Sequence, residues 1–379
     1  MKLGIVTMHK VLNYGSSLQA YALQRKITEL GYDSEIIDYE FPPQTKAKIN
    51  INFVLEKTFD FIRALIMGFP QIKKRKRFKE FYDVFYKLSR QSYNAETIVN
   101  DIPEYDVYMT GSDQVWNPRH IGEDTNFLLS FAPNEKPKMS YAASFATSNI
   151  PEKSKQLYKK YLKGYHYISV RESTGVQLVQ DLAGKNATVC CDPVFLLNRA
   201  QWDEVANNAK FLIKEKYILV YALYYMFDPY PELLQIINSV QKTLGYKVLY
   251  LDGRKEDAFR PNSFVLKAEG PSEFIKLIKN AELVITSSFH GTAFSLIYEK
   301  PLMAIVRPDD KTDSRISSLL KIAQAEKSLV NYNSNVTFSR EEIYQLKSDS
   351  KQLNDYIASS VDYLNSSLSN LRKNSKITI

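Results

Sequence analysis

Cysteine is nearly absent from the 379-residue chain: Cys190 and Cys191 are the only two, and they are adjacent. Neighbouring cysteines rarely pair, because disulfide geometry strains the backbone between them. No disulfide framework is expected, and a reducing cytoplasm suits the sequence. Histidine is also scarce. His9, His120, His166 and His290 show neither an HExxH pattern nor an i, i+4 pair, so no dedicated zinc site is expected. No apolar run approaches the roughly 18–20 residues of a bilayer crossing, and the start, Met1-Lys2-Leu3-Gly4-Ile5-Val6-Thr7, turns polar before a secretory core forms. One-signed charge is missing from most of the chain too. The formal charge is +8, and residues 44–90, with 12 basic and four acidic side chains, account for all of it. The rest is neutral, which excludes a uniformly basic nucleic-acid binder.

What is present is a globular composition: 44% hydrophobic and 24% charged residues, with 26 tyrosines, 20 phenylalanines and two tryptophans to fill cores. The chain opens as strand, glycine turn, helix. Leu3–Thr7 is a short apolar run, Asn13-Tyr14-Gly15-Ser16 is turn chemistry, and Leu18, Tyr21, Ala22, Arg25 and Leu30 fall at helical spacing before Gly31. Ser34–Tyr39 reads as a second strand. Further strands are predicted at 106–110, 138–142, 167–170 and 188–191, with helices at 152–163 and 173–182. A second alternation starts at Tyr217 and runs to a helix over 313–323. The expected class is α/β: two Rossmann-like doubly wound domains facing a cleft, GT-B-like, with a helical insertion in the first. The expected units are 1–200 (with a basic helical insertion at 44–100), 201–340, and a helical tail at 341–379 along the surface.

Open α/β sheets place chemistry at the carboxyl ends of their strands, and four segments fall there. Asn13 and Gly15 stand where backbone can approach a ligand and a helix N-terminus offers free N–H groups to an anion; a well-capped turn is the competing reading. In Thr110–Asn117, Ser112, Asp113, Gln114, Trp116 and Asn117 gather a carboxylate, two amides and an indole, a set suited to a sugar. The alternative is a surface loop with Trp116 in the core. Arg171 ends a strand, placed either to grip a carboxylate or phosphate bidentately or to pair with Glu172 at the surface. The fourth segment, Ser287-Ser288-Phe289-His290-Gly291-Thr292, joins an apolar strand to a helix. A helix N-terminus opposes positive charge, so His290 is poised as a neutral base or donor, with simple helix capping as the alternative. Ser288, Gly291 and Thr292 surround it. Arg307, Lys311, Asp313 and Arg315 follow the next strand. Cations there suit a small polyanion, although Lys311 reads better as part of a solvated face.

Taken in order, Gly4-Ile5-Val6-Thr7, Asn13-Tyr14-Gly15 with Leu18-Gln19-Ala20-Tyr21-Ala22-Leu23, Gly111–Asn117, Tyr141-Ala142-Ala143-Ser144-Phe145, Ser169-Val170-Arg171-Glu172, Asp192-Pro193-Val194 and Ser288–Thr292 resemble the polysaccharide pyruvyl transferase family. The resemblance implies a GT-B-type fold. It also implies transfer of pyruvate from phosphoenolpyruvate onto a sugar of an exopolysaccharide, capsule or cell-wall glycan as a cyclic ketal. By the same resemblance Arg171 and His290 handle phosphoenolpyruvate, and Asp113 contacts the acceptor or moves a proton. Some members carry an arginine where this chain has Ser288, so Arg315 or Arg307 is the expected replacement. No cofactor or metal is expected; phosphoenolpyruvate is a co-substrate. The alternatives are a nucleotide-sugar glycosyltransferase of the same fold and a non-catalytic carbohydrate-binding protein of polysaccharide assembly. The acceptor is a sugar or a lipid-linked oligosaccharide. The stretch 51–79, an apolar half followed by Lys73–Arg77, suggests peripheral contact with the inner face of the membrane, against the alternative of a helix packed on the first domain. The expected setting is the cytoplasm, and no nucleic acid is expected.

Overall fold

The computed structural model describes residues 1–40, 69–121, 124–211, 213–224, 227–306, 314–331, 337–348 and 350–377. The first domain begins with β1 (Lys2–Val6), α1 (Tyr14–Glu29), β2 (Asp33–Tyr39) and α2 (Pro70–Phe85). It continues through β3 (Leu88–Tyr93), β4 (Val107–Thr110), β5 (Lys138–Ser140), α3 (Glu152–Leu162), β6 (Ser169–Val170), α4 (Ser173–Ala183) and β7 (Thr188–Val189). Its main sheet is all parallel, in the order β3-β2-β1-β4-β5. Bridges Met139–Tyr167 and Ala143–Val170 carry it on to β6 and β7.

After α5 (Arg199–Ala206) the second domain builds β8 (Tyr217–Tyr221), α6 (Glu232–Leu244), β9 (Lys247–Leu251), β10 (Ser263–Leu266), α7 (Pro271–Asn280), β11 (Leu283–Thr286), α8 (Phe289–Ile297), β12 (Leu302–Val306), α9 (Ser314–Ile322) and β13 (Leu329–Asn331). This sheet is also parallel, in the order β10-β9-β8-β11-β12-β13. Central strands such as β4, β8 and β11 are buried at every residue. That is why they read as unbroken apolar runs: helices cover both faces of a parallel sheet.

The basic insertion is narrower than expected. Residues 88–93 pair with β2 as an edge strand of the main sheet instead of continuing a helix. Residues 41–68, including the apolar half of the stretch proposed to meet a membrane, lie outside the described residues. Two members of the basic run in α2 turn towards the second domain rather than outward. Lys74 Nζ reaches both oxygens of Asp252, at 2.8 and 2.7 Å, and sits 4.8 Å from the centre of the Tyr14 ring. Arg77 donates to the Ala268 carbonyl at 3.0 Å and pairs with Glu269 at 3.2 Å and Glu273 at 3.6 Å. Lys73, Arg75 and Lys76 stay exposed. Removing one side of a partly buried ion pair leaves the other charge desolvated. The double variant Lys74→Ala/Arg77→Ala is therefore expected to lose about 1–3 kcal/mol in urea unfolding, less than a fully buried pair because Asp252 is partly open to solvent. No change in midpoint would show that these contacts do not join the domains in solution.

Lys351–Ile377 is one helix, α10, and it returns to the first domain. Leu364, Leu368 and Leu371 are buried there. Ser360 Oγ accepts the Cys191 N–H at 2.9 Å, and Tyr363 donates to the Ser140 carbonyl at 3.4 Å. Among the described residues no helix is long and apolar enough to cross a membrane.

Candidate functional site

The two domains meet where α1 and α8 begin. Asn13 caps α1, its Oδ1 accepting the Ser16 N–H at 3.2 Å. Ser288 caps α8, its Oγ accepting the Gly291 N–H at 3.3 Å. Gly15, in the first turn of α1, lies directly against the His290 ring: a Cβ there would fall well inside contact distance of Nδ1, Cγ and Cε1. Gly291 is needed in turn because a Cβ would collide with Thr286 at the end of β11. Two helix N-termini, each with free N–H groups and a partial positive charge, thus face one space.

His290 is tied to the first domain on its other side. Its Nε2 lies 3.5 Å from Asp192 Oδ2, an ion-pair distance, and the same oxygen accepts Arg171 at 2.7 Å. Asp192 Oδ1 accepts the Val194 N–H at 3.1 Å and so caps the turn at 193–196. The Arg171 and Asp192 side chains are 3% and 0% exposed, so this is a buried pair. Burial pushes the Asp192 carboxyl up, but His290 and then Arg171 outweigh it and hold the group down at about 2. Burial likewise opposes the Arg171 charge, and Asp192, Asp113 and Glu172 together keep the guanidinium protonated. Arg171 also lies 5.1 Å from the centre of the Phe289 ring.

Arg171 therefore pairs with Asp192 and not with Glu172. Glu172 holds the neighbouring loop instead: its Oε1 accepts Ser144 Oγ at 3.0 Å, Phe145 N at 2.8 Å and Ala146 N at 3.1 Å. Buried polar atoms normally have partners, and exceptions mark ligand or water sites. Among the described residues seven buried side-chain polar atoms make no hydrogen bond, His290 Nε2 having only its 3.5 Å approach to Asp192. Four of them, Arg171 Nε, Glu172 Oε2, His290 Nε2 and Thr292 Oγ1, belong to the segments that converge here.

Asp113 joins the cluster through α1. It has a left-handed backbone (φ 77°), accepts Ser16 Oγ, and takes the Gln114 N–H at 2.8 Å. Its neighbours are more structural than the sequence suggested. Ser112 Oγ donates to the Ala142 carbonyl at 2.8 Å, beneath the site. Asn117 is buried, donates to Gln114 Oε1 at 2.8 Å, and accepts the Arg119 N–H. Gln114 is half-buried. Trp116 does not offer a face to a sugar. It is fully buried, packs on Phe145 and Tyr165, and donates from Nε1 to the Phe127 carbonyl at 3.1 Å. The core alternative is the one realised, because the loop folds back over β4. Trp116→Phe is expected to cost about 1–2 kcal/mol for the lost bond and volume while leaving affinity for any acceptor unchanged by isothermal calorimetry. A large affinity loss with intact stability would restore the indole to the site.

Arg315 stands in the first turn of α9, after β12, the strand beside β11. Arg307, Lys311 and Asp313 lie outside the described residues. Among the described residues no group of three His, Cys, Asp or Glu side chains is placed to hold a metal ion. Sequence reasoning gave Asp192 no role. Its signal was an Asp-Pro pair just past a strand end, which reads as a helix cap and says nothing of Arg171 or His290.

Solved structures share this architecture. UDP-GlcNAc 2-epimerase from Neisseria meningitidis, bound to UDP-GlcNAc, matches 98% of this chain and 100% of its own with a TM-score of 0.55 and 12% identity. The enzyme of that name from Methanocaldococcus jannaschii, in complex with UDP-GlcNAc and UDP, matches 91% of each chain with a TM-score of 0.50 and 12% identity. At such identities the likeness concerns the fold alone, a GT-B-like pair of Rossmann-like domains. No curated protein sequence matches the chain. The sequence model described as polysaccharide pyruvyl transferase matches residues 13–309, a span that runs from the cap of α1 past His290, and the chain belongs to that family.

Proposed function

We propose that the protein transfers pyruvate from phosphoenolpyruvate to a sugar of a surface or exopolysaccharide, closing a ketal across two hydroxyls. The observation that carries this is the meeting of His290, the Asp192–Arg171 pair and Asp113 at the facing starts of α1 and α8, within the span of the family match. Phosphoenolpyruvate brings a carboxylate and a phosphate. The two helix N-termini, Arg315, and the Nε of Arg171, which makes no hydrogen bond, are the groups that suit them. Protonating the methylene carbon makes C2 an oxocarbenium-like centre. One sugar hydroxyl adds there and gives up its proton, phosphate leaves with the C2–O bond electrons, and the second hydroxyl adds and loses its proton. His290 and Asp113 are placed to carry those protons. No cofactor enters the scheme.

The test is incubation of purified protein with phosphoenolpyruvate and candidate oligosaccharides, read by mass spectrometry and phosphate release. The expected product is the acceptor plus one pyruvate less one water, with one phosphate freed. A hexose added from a nucleotide sugar would make it a glycosyltransferase. No product, with carbohydrate binding indifferent to phosphoenolpyruvate, would make it a binding protein. If the acceptor is lipid-linked, the exposed Lys73, Arg75 and Lys76 offer an anionic membrane a contact. Salt-sensitive binding to liposomes containing anionic lipid, weakened by neutralising those three, checks that part.

A further inference from the structure

Arg171 and Asp192 belong to the first domain and His290 to the second. The Asp192 carboxylate is divided between two tasks. Oδ1 is committed to the Val194 N–H, while Oδ2 holds Arg171 at 2.7 Å and faces His290 Nε2 at 3.5 Å. Nε2 is buried and has no other partner. The other ring nitrogen, Nδ1, lies beside Gly15 at the start of α1, where a helix N-terminus favours an anion. An imidazole nitrogen that faces a carboxylate keeps its hydrogen, and this decides the tautomer of the neutral ring. The charged groups around the ring are Asp192 and Arg171, with Asp113 acting on Arg171.

We infer that Asp192 is a positioning residue for the reaction proposed above: it holds a hydrogen of His290 on Nε2 and leaves Nδ1, beside Gly15 at the start of α1, as the nitrogen that exchanges protons with the substrate. The inference rests on that functional reading. It adds that the working tautomer of a residue in one domain is set by a carboxylate of the other, so the proton donor and acceptor is complete only when the domains are in contact. Arg171 keeps the carboxylate ionised and aimed, a task distinct from binding substrate.

The experiment uses the full chain labelled with 15N-histidine and records ring nitrogen shifts over a pH series, reading the tautomer where the imidazolium signal is absent. The wild type should carry its hydrogen on Nε2. Asp192→Asn should move it to Nδ1, because the asparagine amide can donate to Nε2 where the carboxylate only accepted. With phosphoenolpyruvate and an acceptor, kcat should fall by about 10²–10⁴-fold while KM for phosphoenolpyruvate stays within about threefold. Asp192→Asn leaves Arg171 buried and unpaired, so the single variant risks unfolding. Asp192→Asn/Arg171→Met carries no unpaired charge and serves for the tautomer measurement if it does. A wild-type hydrogen on Nδ1, or the same tautomer in wild type and in a folded variant, overturns the inference. The shifts are measured without substrate. An expected tautomer change in a protein that makes no ketal would therefore overturn the functional reading and leave the positioning intact.

Discussion

His290→Ala is expected to lower kcat for ketal formation by about 10²–10⁴-fold, the usual loss when a positioned general acid or base is removed. The fold should survive. The imidazole approaches Asp192 only at 3.5 Å and packs against Gly15 and Phe289, so its removal empties a small volume between the domains and leaves both sheets whole. Thermal unfolding should shift by only a few degrees, of the order expected for about 1 kcal/mol. KM for phosphoenolpyruvate should move little, since the proposed scheme assigns the anion to the helix starts, Arg171 and Arg315 and not to the ring. Added imidazole should restore part of the rate, because the space left behind matches it. Activity within a fewfold of wild type would remove His290 from the chemistry and leave it a cap of α8.

How much of this was legible depends on what each residue is asked to bury. Strands β1, β8 and β11 announce themselves because both of their faces are covered. Strand β3, Leu-Ser-Arg-Gln-Ser-Tyr, does not. It is an edge strand with three consecutive exposed residues, and without two-sided burial its sequence carries neither an apolar run nor clean alternation. Helix α10 showed its period plainly, but a helical period reveals that a face is apolar and not which surface it meets. Ser360 and Tyr363 reach first-domain residues 169 and 223 positions earlier in the chain, and nothing local encodes that return.

The site divides in the same way. The turn chemistry at Asn13–Gly15 and Ser288–Gly291 is local, since a cap and a glycine are specified within a few residues. The Arg171–Asp192–His290 chain is not local, and its closest sequence neighbours are 21 residues apart. Trp116 shows a different limit. An indole beside amides and a carboxylate looks the same in sequence whether it stacks on a sugar or fills a core, and only the path of the loop decides. The basic run of α2 is a third case. Lys74 and Arg77 are three apart and share a helix face, which the excess charge concealed. Their acidic partners Asp252, Glu269 and Glu273 lie in a domain of balanced composition, so the overall charge drew attention to a membrane and away from the domain interface.

Gly15→Ala is the second large effect, and it isolates the contact between the domains. Alanine is favoured over glycine by about 1 kcal/mol in a helix interior and by less in the first turn, where Gly15 stands, so propensity alone predicts no loss of stability. The added methyl falls within the His290 ring, against Cγ as well as the far atoms, so a small rotation of the ring cannot clear it. Two responses remain. The domains can part along the seam held by Lys74 and Arg77, or the ring can swing off Asp192 altogether. Each dismantles the site while both sheets persist. The expected result is wild-type circular dichroism, near-normal thermal stability and a loss of at least about 10²-fold in kcat, the order of penalty for misplacing a catalytic group by an ångström. Small-angle scattering separates the two routes, since parting raises the radius of gyration and a swung ring does not. In the second case the 15N shifts of His290 should change as they do in Asp192→Asn. Undiminished kcat in Gly15→Ala would mean that the close approach of α1 to α8 is not the geometry in which the protein works.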